Sequence, residues 1–491
     1  MSHHLAIDLG AGSGRAILGR VERSGIVLDE VHRFTYPPRQ SAGHLRWDVA
    51  RLFEGIRVGM SKAHTAARAR RARLDSVGVD SWGVDYGLVN DAGELLEEPI
   101  SYRDSRTDGA IDAVCAVVPR AEIFARTGIQ FMPLNTLFQL FAHVKSGLPP
   151  STRRLLFIPD LCHRFLCGSD CSEHTIASTS QLLQHATGHW DLALFARLGL
   201  PAEILPRIVA AGTPIGAVKT EFLPPGSGAC PAVVAPAAHD TASAVVGSPL
   251  APGWAFLSSG TWSLLGVERD APLLNDATAR ANFTNEGGAF GHVLFLKNVM
   301  GLWLLQACQR EWPERPLRTL LYGLADSGAP RDVVCPDAPR FFNPPSMTSE
   351  LVAALREQGK SPSDDPIALT KVILDSLALR YASVVDDIER LTGRSVEGIH
   401  IVGGGSQNEY LNQAAANATG RPVLAGPVEA TAMGNVIAQA VARGTLSSLE
   451  HAREVLAATV KPQRFDPQDR VAWEAARARY REIEAVALAG V

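Results

Sequence analysis

The stretch up to Tyr36 alternates between short apolar runs and turns of glycine or polar residues. The runs His4–Leu9, Ala16–Glu22 and Ile26–Phe34 predict strands, because they are short and rich in apolar and β-branched residues. The glycine cluster Gly10–Gly14 separates the first two runs and predicts a hairpin turn. From about Asp48 to Ala69 the apolar positions recur at helical spacing, and Asp48 can cap the helix. This part of the chain therefore predicts strands around a glycine turn, followed by a helix.

A similar succession recurs in the second half of the chain. In the first half a buried strand, Ser76–Asp80, ends in Ser81–Asp85. In the second half an apolar strand ends in the polar turn Ser259–Ser263, and a later strand runs into Gly403–Ser406. The repetition indicates a duplication at the scale of a domain rather than a short repeat. The predicted elements of the second half are, in order, strands at Trp254–Ser258 and Leu264–Glu268, a helix at Pro366–Leu391, a strand at Gly398–Val402, a helix at Asn408–Thr419, a strand at Pro422–Ala425 and a helix at Glu429–Ala442.

The length of the chain agrees with a duplication. A chain of 491 residues is longer than one hydrophobic core ordinarily holds. The segment Ser248–Gly253, rich in proline and small residues, is the expected boundary. We therefore expect an α/β protein with an N-terminal domain at residues 1–247 and a C-terminal domain at 248–491.

Composition excludes several classes of protein. Hydrophobic residues make up 46% and charged residues 20% of the chain, the net charge is -4, and no 18-residue apolar segment is present. This balance gives no attraction to nucleic acid or to an anionic membrane. The first residues lack the apolar core of a signal peptide, so we expect a cytoplasmic protein. Seven cysteines, an odd number without paired C-x-x-C units, predict reduced thiols rather than disulfides or a metal site.

The turn Asp8–Arg15 combines groups that suit the phosphates of a nucleotide. Its glycines let backbone N–H groups approach phosphate oxygens closely. Arg15 can neutralise the phosphate charge, and Asp8 can hold a hydrated Mg²⁺. A glycine hairpin with an incidental aspartate explains the same residues, and the turn alone does not decide between these interpretations.

The common nucleotide-binding motifs are absent. Gly359-Lys360-Ser361 has Ala354 where a Walker A loop requires its first glycine. Arg15 stands where the third glycine of G-x-G-x-x-G belongs, which disfavours a dinucleotide-binding fold.

Two further turns occur at corresponding places in the second half. Ser258–Ser263 occupies the position that Asp8–Arg15 occupies in the first half, so the two turns could clamp a polyphosphate between the domains. Gly403–Asn408 permits close approach of a flat or anionic ligand. The structural alternatives are a serine-rich turn and a tight strand-to-helix connection.

A candidate for proton transfer follows the apolar run Val233–Pro236. In Ala237–Ala244 a carboxylate, Asp240, stands among small residues and could face a substrate without crowding it. A hydroxyl that attacks a phosphate needs a proton acceptor, and aspartate is a usual one. A helix N-cap is the alternative role, and both roles are compatible. A hydrolase triad is disfavoured, because the side chains of His239 and Asp240 are adjacent in sequence and do not readily form its His–Asp hydrogen bond.

Several longer runs match, in the same order, the motifs of one enzyme family. They are Asp80–Asp85, Tyr102–Thr107, His239–Ala244, Leu257–Ser263, Lys297–Gln306, His400–Gly405 and Ala425–Ala430. On these runs, from about Ala6 to Pro462, the chain resembles the FGGY carbohydrate kinases. The resemblance implies an actin-like ATPase fold of the ribonuclease H-like type, with two duplicated domains and an interdomain cleft for ATP and Mg²⁺.

The resemblance also implies an activity. It implies transfer of the γ-phosphate of ATP to the 1-hydroxyl of L-rhamnulose in L-rhamnose catabolism, and the runs around Trp82 and Arg103 favour this ketose over L-fuculose, xylulose or a related polyol. A chaperone- or filament-like ATPase shares the fold but lacks a motif like that of Asp240. A catalytically silent sugar sensor is disfavoured because Asp8 and Asp240 are both present. The expected partners are a small ketose and ATP, without nucleic acid or membrane, and monomer and dimer both stay open.

Carried over residue by residue, the resemblance assigns roles to individual positions. Asp240 is the proton acceptor, and Asp8 associates with Mg²⁺ through water. Two positions depart from the family pattern: Gly12 replaces a familiar serine but keeps its N–H, and Phe290 replaces a familiar acid, which puts any role of that side chain in doubt. The implied sugar contacts are Trp82, Gly83, Arg103, His239, Asp240, Thr241 and Asn298, and the implied ATP contacts are Ala11, Gly12, Ser13, Gly14, Arg15, Thr261, Gln306 and Gly404.

Overall fold

The computed structural model describes residues 1–22, 25–225, 229–324 and 328–489. The chain folds as two units, each assembled from three stretches of sequence. The first unit consists of Met1–Pro249, Glu268–Phe295 and Ala430–Val460, and the second of Leu250–Val267, Leu296–Glu429 and Lys461–Val491. The division into domains at 1–247 and 248–491 stays a prediction, and its last two residues lie outside the described ranges.

The elements are numbered here in chain order. The strands are β1 (Ser2–Gly10), β2 (Ser13–Glu22), β3 (Gly25–Thr35), β4 (Arg39–Ser41), β5 (His44–Arg46), β6 (Ser76–Ser81), β7 (Tyr86–Val89), β8 (Arg154–Phe157), β9 (Cys171–Glu173), β10 (Leu183–Gln184), β11 (His189–Trp190), β12 (Arg207–Val209), β13 (Thr213–Ala217), β14 (Ala232–Ala235), β15 (Ala255–Ser259), β16 (Trp262–Arg269), β17 (Thr284–Gly287), β18 (Val293–Met300), β19 (Ile399–Val402), β20 (Val423–Ala425) and β21 (Gln463–Phe465). The helices are α1 (Val49–Ala69), α2 (Ala110–Cys115), α3 (Arg120–Thr127), α4 (Thr136–Ser146), α5 (Ile158–Cys167), α6 (His174–Ser178), α7 (Leu192–Leu198), α8 (Asp240–Val246), α9 (Asp276–Arg280), α10 (Trp303–Glu311), α11 (Leu317–Tyr322), α12 (Met347–Glu357), α13 (Pro366–Thr392), α14 (Glu409–Thr419), α15 (Ala430–Ala442), α16 (Leu449–Thr459) and α17 (Arg470–Ala487).

The central sheet of the first unit has the strand order β13-β14-β6-β1-β2-β3. β1 pairs antiparallel with β2 and parallel with β6, and β6 pairs parallel with β14. β1 and β2 form the predicted hairpin around the glycine turn, so this prediction is confirmed. The register places Asp8 opposite Arg15 in β2 and opposite Asp80 in β6.

Helices cover both faces of this sheet, which explains why β1 is buried along almost its whole length. α1 begins after Asp48, whose side chain accepts from the backbone N–H of Arg51, as predicted. α1 packs on the face where Ala16 points, whereas Gly19, on the opposite face of β2, contacts Val436 of α15. A helix from the C-terminal part of the chain thus covers the N-terminal strands.

Buried polar side chains join α15 to these strands. Asn435 donates to Asp80 over 2.5 Å, and Gln439 donates to the carbonyl oxygen of Leu5 over 3.0 Å. Ser76 donates to Gln439 over 2.7 Å. Because each group would be costly to bury alone, these bonds define one position of α15 against the sheet.

Between β7 and β14 the chain adds helices α2–α7 around an apolar core. Leu137, Phe138 and Phe157 of this core are fully buried. β7 pairs antiparallel with β8. The loop Trp82–Asp85, between β6 and β7, is therefore held by paired strands on both sides.

The second unit repeats the strand arrangement of the first. Its strands follow the order β18-β16-β15-β19-β20-β21. From β16 to β21 successive pairs are antiparallel, parallel, parallel and antiparallel. The pairs from β2 through β1, β6 and β14 to β13 follow the same succession. The predicted duplication is confirmed.

The principal helices of the second half occur where the pattern predicted them. α13 and α14 follow the caps Asp365 and Asn408, whose side chains accept backbone N–H groups. Among the helices that the structure describes, none has the length and apolar character needed to cross a membrane.

Candidate active site

The turn between β1 and β2 is supported from the interior by Tyr36. Tyr36 Oη lies 2.7 Å from the carbonyl oxygen of Gly10 and 3.0 Å from that of Ser13. The backbone N–H of Tyr36 donates to the carbonyl oxygen of Gly12 over 2.9 Å. Tyr36 is fully buried, whereas Ala11 and Ser13 are exposed. The predicted phosphate turn thus has one face fixed by the core and one face open.

Gly12 and Gly14 are glycines for different reasons. Gly12 has φ +126° and an added Cβ would meet nothing within 4 Å, so backbone conformation rather than space requires glycine. This conformation gives a physical reason why serine does not stand at this position. At Gly14 an added Cβ would lie 2.6 Å from the ring of Phe34 and 2.8 Å from Leu9. Packing therefore requires Gly14, and its contact with a nucleotide stays a prediction.

Two carboxylates lie side by side behind this turn. Asp8 forms a charge-assisted hydrogen bond with Arg15. Asp80 is fully buried and accepts from Asn435 through Oδ2, while its Oδ1 has no hydrogen-bond partner among the described residues. Burial, and after it the charge of Asp8, raises the pKa of Asp80 well above its ordinary value. This shift favours the neutral form of Asp80, which limits the negative charge at this edge of the sheet.

Asp8 fits the predicted contact with Mg²⁺. Within the described ranges, no group of three or more His, Cys, Asp or Glu side chains could enclose a metal ion. Mg²⁺ in phosphoryl-transfer sites usually keeps several waters and takes only one or two carboxylates, the rest coming from the phosphates. A single acid at the end of β1, beside the glycine turn, is compatible with that requirement.

Asp240 is the first residue of α8. The N-cap position belongs to His239, and no side chain caps the helix, so Asp240 is not the N-cap. Burial, followed by the charge of Asp8 and more weakly that of Glu286, raises the pKa of Asp240 to about 7. Protein atoms surround the carboxylate on most sides, yet 34% of its side-chain surface stays accessible. Asp240 is therefore a titratable group that is partly open to solvent.

The backbone that leads into Asp240 is fixed by Glu173. Glu173 Oε2 accepts from the backbone N–H of Ala238 over 3.0 Å and from that of Thr175 over 2.9 Å. The N–H of His239 donates to Thr175 Oγ1 over 3.1 Å. Glu173 is 1% exposed, and its burial raises its pKa to about 7. The position of Asp240 therefore depends on an acid 67 residues away in the sequence.

His239 lies between two acids. Its Nε2 is 3.5 Å from Asp240 Oδ1, and its Nδ1 is 3.4 Å from Glu286 Oε2. Burial lowers the pKa of His239 to about 4, so the ring is neutral at pH 7. The separation from Asp240 is longer than an ordinary hydrogen bond, in agreement with the argument against a hydrolase triad. Thr241 Oγ1 lies 3.3 Å from Asp240 Oδ1.

Trp82 forms an aromatic wall close to the end of β6. Its indole N–H donates to Asp85 Oδ2 over 3.0 Å, and that of Trp47 donates to the same oxygen over 2.7 Å. Gln139 donates to Asp85 Oδ1 over 3.0 Å. Burial raises the pKa of Asp85 to about 6, while these N–H donors oppose the shift. The polar atom of Trp82 is thus occupied, and only 7% of the residue is exposed.

Gly83 and Arg103 lie beside this wall. An added Cβ at Gly83 would lie 2.9 Å from Thr179 Oγ1, so the loop passes close to α6. The backbone N–H of Tyr102 donates to Asp85 over 3.2 Å, and the Arg103 guanidinium lies 5.2 Å from the centroid of the Tyr102 ring. Asp85 therefore links the two predicted sugar-binding runs.

In the second unit Thr261 and Gln306 contact each other. Thr261 Oγ1 donates to Gln306 Oε1 over 3.1 Å. The backbone N–H of Leu302 donates to the carbonyl oxygen of Gly260 over 2.9 Å. The turn between β15 and β16 is therefore attached to the start of α10, which brings two predicted ATP contacts together.

The predicted glycine contact follows β19. Gly405 packs directly against the side chain of Ser259, because β15 and β19 are parallel neighbours. An added Cβ at Gly404 would meet nothing within 4 Å, so this residue borders open space. Asn298 lies half-buried on β18 of the same unit.

The structure divides the predicted site residues between the units. Asn298, Thr261, Gln306 and Gly404 belong to the second unit, and the others to the first. Phe290 adopts φ 56° in a short turn after β17. Sequence reasoning assigned no role to four residues that support the site, which are Tyr36, Asp85, Glu173 and Glu286. Only Asp85 stood within a recognised motif, and the partners of the other three lie far away in the chain.

The chain belongs to the FGGY family of carbohydrate kinases. The model of the family's N-terminal domain matches residues 3–247, and the model of its C-terminal domain matches residues 255–443. The protein is therefore a sugar kinase that uses ATP.

Curated relatives and solved structures agree with this membership. The chain is 40% identical over 477 residues to a rhamnulokinase of Bacteroides thetaiotaomicron, covering 96% of this chain and 97% of the relative. It is 40% identical over 470 residues to a rhamnulokinase of Yersinia pestis, covering 95% of each. The fold matches a ligand-bound xylulose kinase of Lactobacillus acidophilus with a TM-score of 0.81 at 17% identity, over 100% of this chain and 99% of the other. It matches a Plasmodium falciparum glycerol kinase with ADP at 0.78 and 13% identity, over 99% and 98%.

Proposed function

We propose that the chain phosphorylates L-rhamnulose at the 1-hydroxyl with ATP, yielding L-rhamnulose 1-phosphate and ADP. The identity of 40% to relatives named rhamnulokinase, over nearly the whole chain, supports this substrate. The observation that carries the chemistry is the accessible carboxylate of Asp240, whose pKa of about 7 suits a base at neutral pH. A kinase for L-fuculose or xylulose is the alternative within the family.

Asp240 is proposed to accept the proton of the attacking hydroxyl. As the sugar oxygen bonds to the γ-phosphorus, the bond from that phosphorus to the β–γ bridging oxygen breaks, and the electron pair leaves with ADP. Neutral His239 and the hydroxyl of Thr241 lie beside Asp240 and would bind other sugar hydroxyls. Positioning of this kind is the main contribution that a protein makes to phosphoryl transfer.

The remaining sugar contacts are proposed around the aromatic wall. Trp82 would pack against the apolar face of the ketose, and the glycine at position 83 would let the backbone approach it. Arg103 and Asn298 would supply hydrogen bonds. Trp82 and the Tyr102–Arg103 run both donate hydrogen bonds to one buried acid, Asp85. This shared partner supports a common role in sugar binding.

The nucleotide contacts are proposed on both units. Ala11–Arg15 would bind phosphates, and Thr261, Gln306 and Gly404 would bind the rest of the ATP. Asp8 would hold hydrated Mg²⁺, which when bound supplies positive charge to the phosphates. A location in the cytoplasm, where ATP is available, is part of the same proposal.

Release of ADP from Mg-ATP, measured across a panel of ketoses, tests the function. We expect strong stimulation by L-rhamnulose and weak stimulation by L-fuculose and D-xylulose. Preference for one of the other ketoses would move the substrate assignment within the family. ADP release that no sugar stimulates would overturn the proposed function.

A further inference from the structure

Tyr36 contacts the glycine turn through its hydroxyl group. Its hydroxyl lies within hydrogen-bond distance of the carbonyl oxygens of Gly10 and Ser13, and its single proton can serve only one of them at a time. The C=O and N–H of one planar peptide point in opposite directions. The Gly10 carbonyl that faces Tyr36 therefore directs the N–H of Ala11 away from the interior. Tyr36, together with the N–H of Gly12 that donates to the same carbonyl oxygen over 2.7 Å, thus orients a donor of the proposed phosphate turn.

The other side of Tyr36 faces the aromatic wall. The ring of Tyr36 stacks on that of Trp82 with centroids 6.1 Å apart and an angle of 24°. Trp82 in turn contacts Trp47 at 4.6 Å, and both indoles are held by Asp85. Tyr36 and Trp47 are almost completely buried, so none of these rings can move without its neighbours.

We propose that Tyr36 is a positioning residue that couples sugar binding at Trp82 to nucleotide binding at the turn Gly10–Ser13. The inference rests on the proposed function, because it takes Trp82 as a sugar contact and the turn as a phosphate contact. All of these residues belong to the first unit. The pathway consists of one ring stack and one hydroxyl, and each can be removed separately.

The coupling has a simple thermodynamic form. A ketose packed against Trp82 restricts the ring of Tyr36, and the restricted hydroxyl then restricts the turn. A nucleotide that binds the ordered turn loses less conformational freedom on binding, so its affinity rises. Linkage requires that the nucleotide raise the affinity for the ketose by the same factor.

Tyr36→Phe is the variant that tests this. It keeps the ring and its stack on Trp82 but removes the hydroxyl. Titration of the full-length enzyme with Mg²⁺ and a non-hydrolysable ATP analogue, with and without saturating L-rhamnulose, gives the coupling factor. We expect ketose to tighten analogue binding in the wild type, and the factor to fall by roughly 3- to 10-fold in Tyr36→Phe, the effect of about one hydrogen bond. The reverse titration should show the same loss, while ketose affinity without nucleotide stays unchanged.

Tyr86→Phe is the matched control. Tyr86 is also buried in the first unit, and its hydroxyl lies 3.1 Å from His143 Nδ1 rather than at the turn. We expect this variant to retain the wild-type coupling factor, with thermal melting as the measure of folding in both variants. A folded Tyr36→Phe enzyme with the wild-type coupling factor, an equal loss in Tyr86→Phe, or a wild type without coupling would each overturn the inference while leaving the kinase function intact. Absence of turnover with every sugar would instead overturn the proposed function, and the inference with it.

Discussion

Replacing Asp240 with asparagine removes the proposed proton acceptor but keeps the shape of the side chain. Asp240 caps no helix, and the charges of Asp8 and Glu286 both oppose its ionised form. Its pKa in the folded state, about 7, lies above the ordinary value of 3.8. For an acid this sign means that ionisation weakens the fold as pH rises from about 4 to 7. We therefore expect Asp240→Asn to melt at or slightly above the wild-type temperature at neutral pH.

The expected loss of activity is large by comparison. A missing general base lowers the rate by roughly 10²- to 10⁴-fold, which corresponds to about 3–5 kcal/mol of activation free energy. A base with a pKa of about 7 also predicts that kcat/KM of the wild type rises as pH increases towards 7, because only the ionised carboxylate accepts a proton. The residual activity of Asp240→Asn should lack this acidic limb.

Steady-state ADP release with saturating L-rhamnulose and Mg-ATP measures the loss, and titration with a non-hydrolysable ATP analogue measures nucleotide affinity. Asp276→Asn is the control, because Asp276 is also the first residue of a helix in the first unit but is exposed. We expect wild-type kinetics from the control and near wild-type analogue affinity from Asp240→Asn. A folded Asp240→Asn enzyme with kcat within tenfold of the wild type would refute the assignment of the base.

Three further predictions concern the support of the site. Asp85→Asn should raise the KM for ketose more than it lowers kcat, because one of the two carboxylate oxygens that accept from four N–H donors becomes an NH₂ group. An unchanged KM would argue against a role of Trp82 in sugar binding. Glu173→Ala should lower the free energy of unfolding in urea by about 1–3 kcal/mol, because buried backbone N–H groups lose their acceptor; a smaller loss would mean that water replaces the carboxylate. Gly14→Ala should cost about 1–3 kcal/mol through overpacking, whereas Gly404→Ala should keep its melting temperature and weaken ATP binding; equal melting temperatures would contradict this contrast.

Local patterns were sufficient to predict several of the principal strands and helices. The hairpin around Gly10–Gly14, the helix capped by Asp48 and the helix that begins at Pro366 each depend on residues within one or two turns of each other. The duplication was also visible, because the same succession of turn, helix and strand occurs twice. The family motifs named most of the candidate site, including Asp240.

The supports of that site were not visible in the sequence. In the sequence Tyr36 lies at the end of a predicted strand, and no neighbouring residue indicates that its hydroxyl reaches the turn at Gly10. Glu173 and Glu286 stand in segments without a motif, although both approach the residues around Asp240. Their roles arise from where strands and helices pack, which periodicity does not specify.

By itself the sequence determined several principal elements, their duplication and the family, since these follow from contacts between near neighbours and from ordered motifs. Tertiary structure alone decided that α15 covers the N-terminal strands, where Asn435 meets Asp80 across 355 positions of sequence. It also decided which buried acids hold Trp82 and the backbone before Asp240. The physical reason is that a buried polar group needs its partner in space, and that partner can come from any part of the chain.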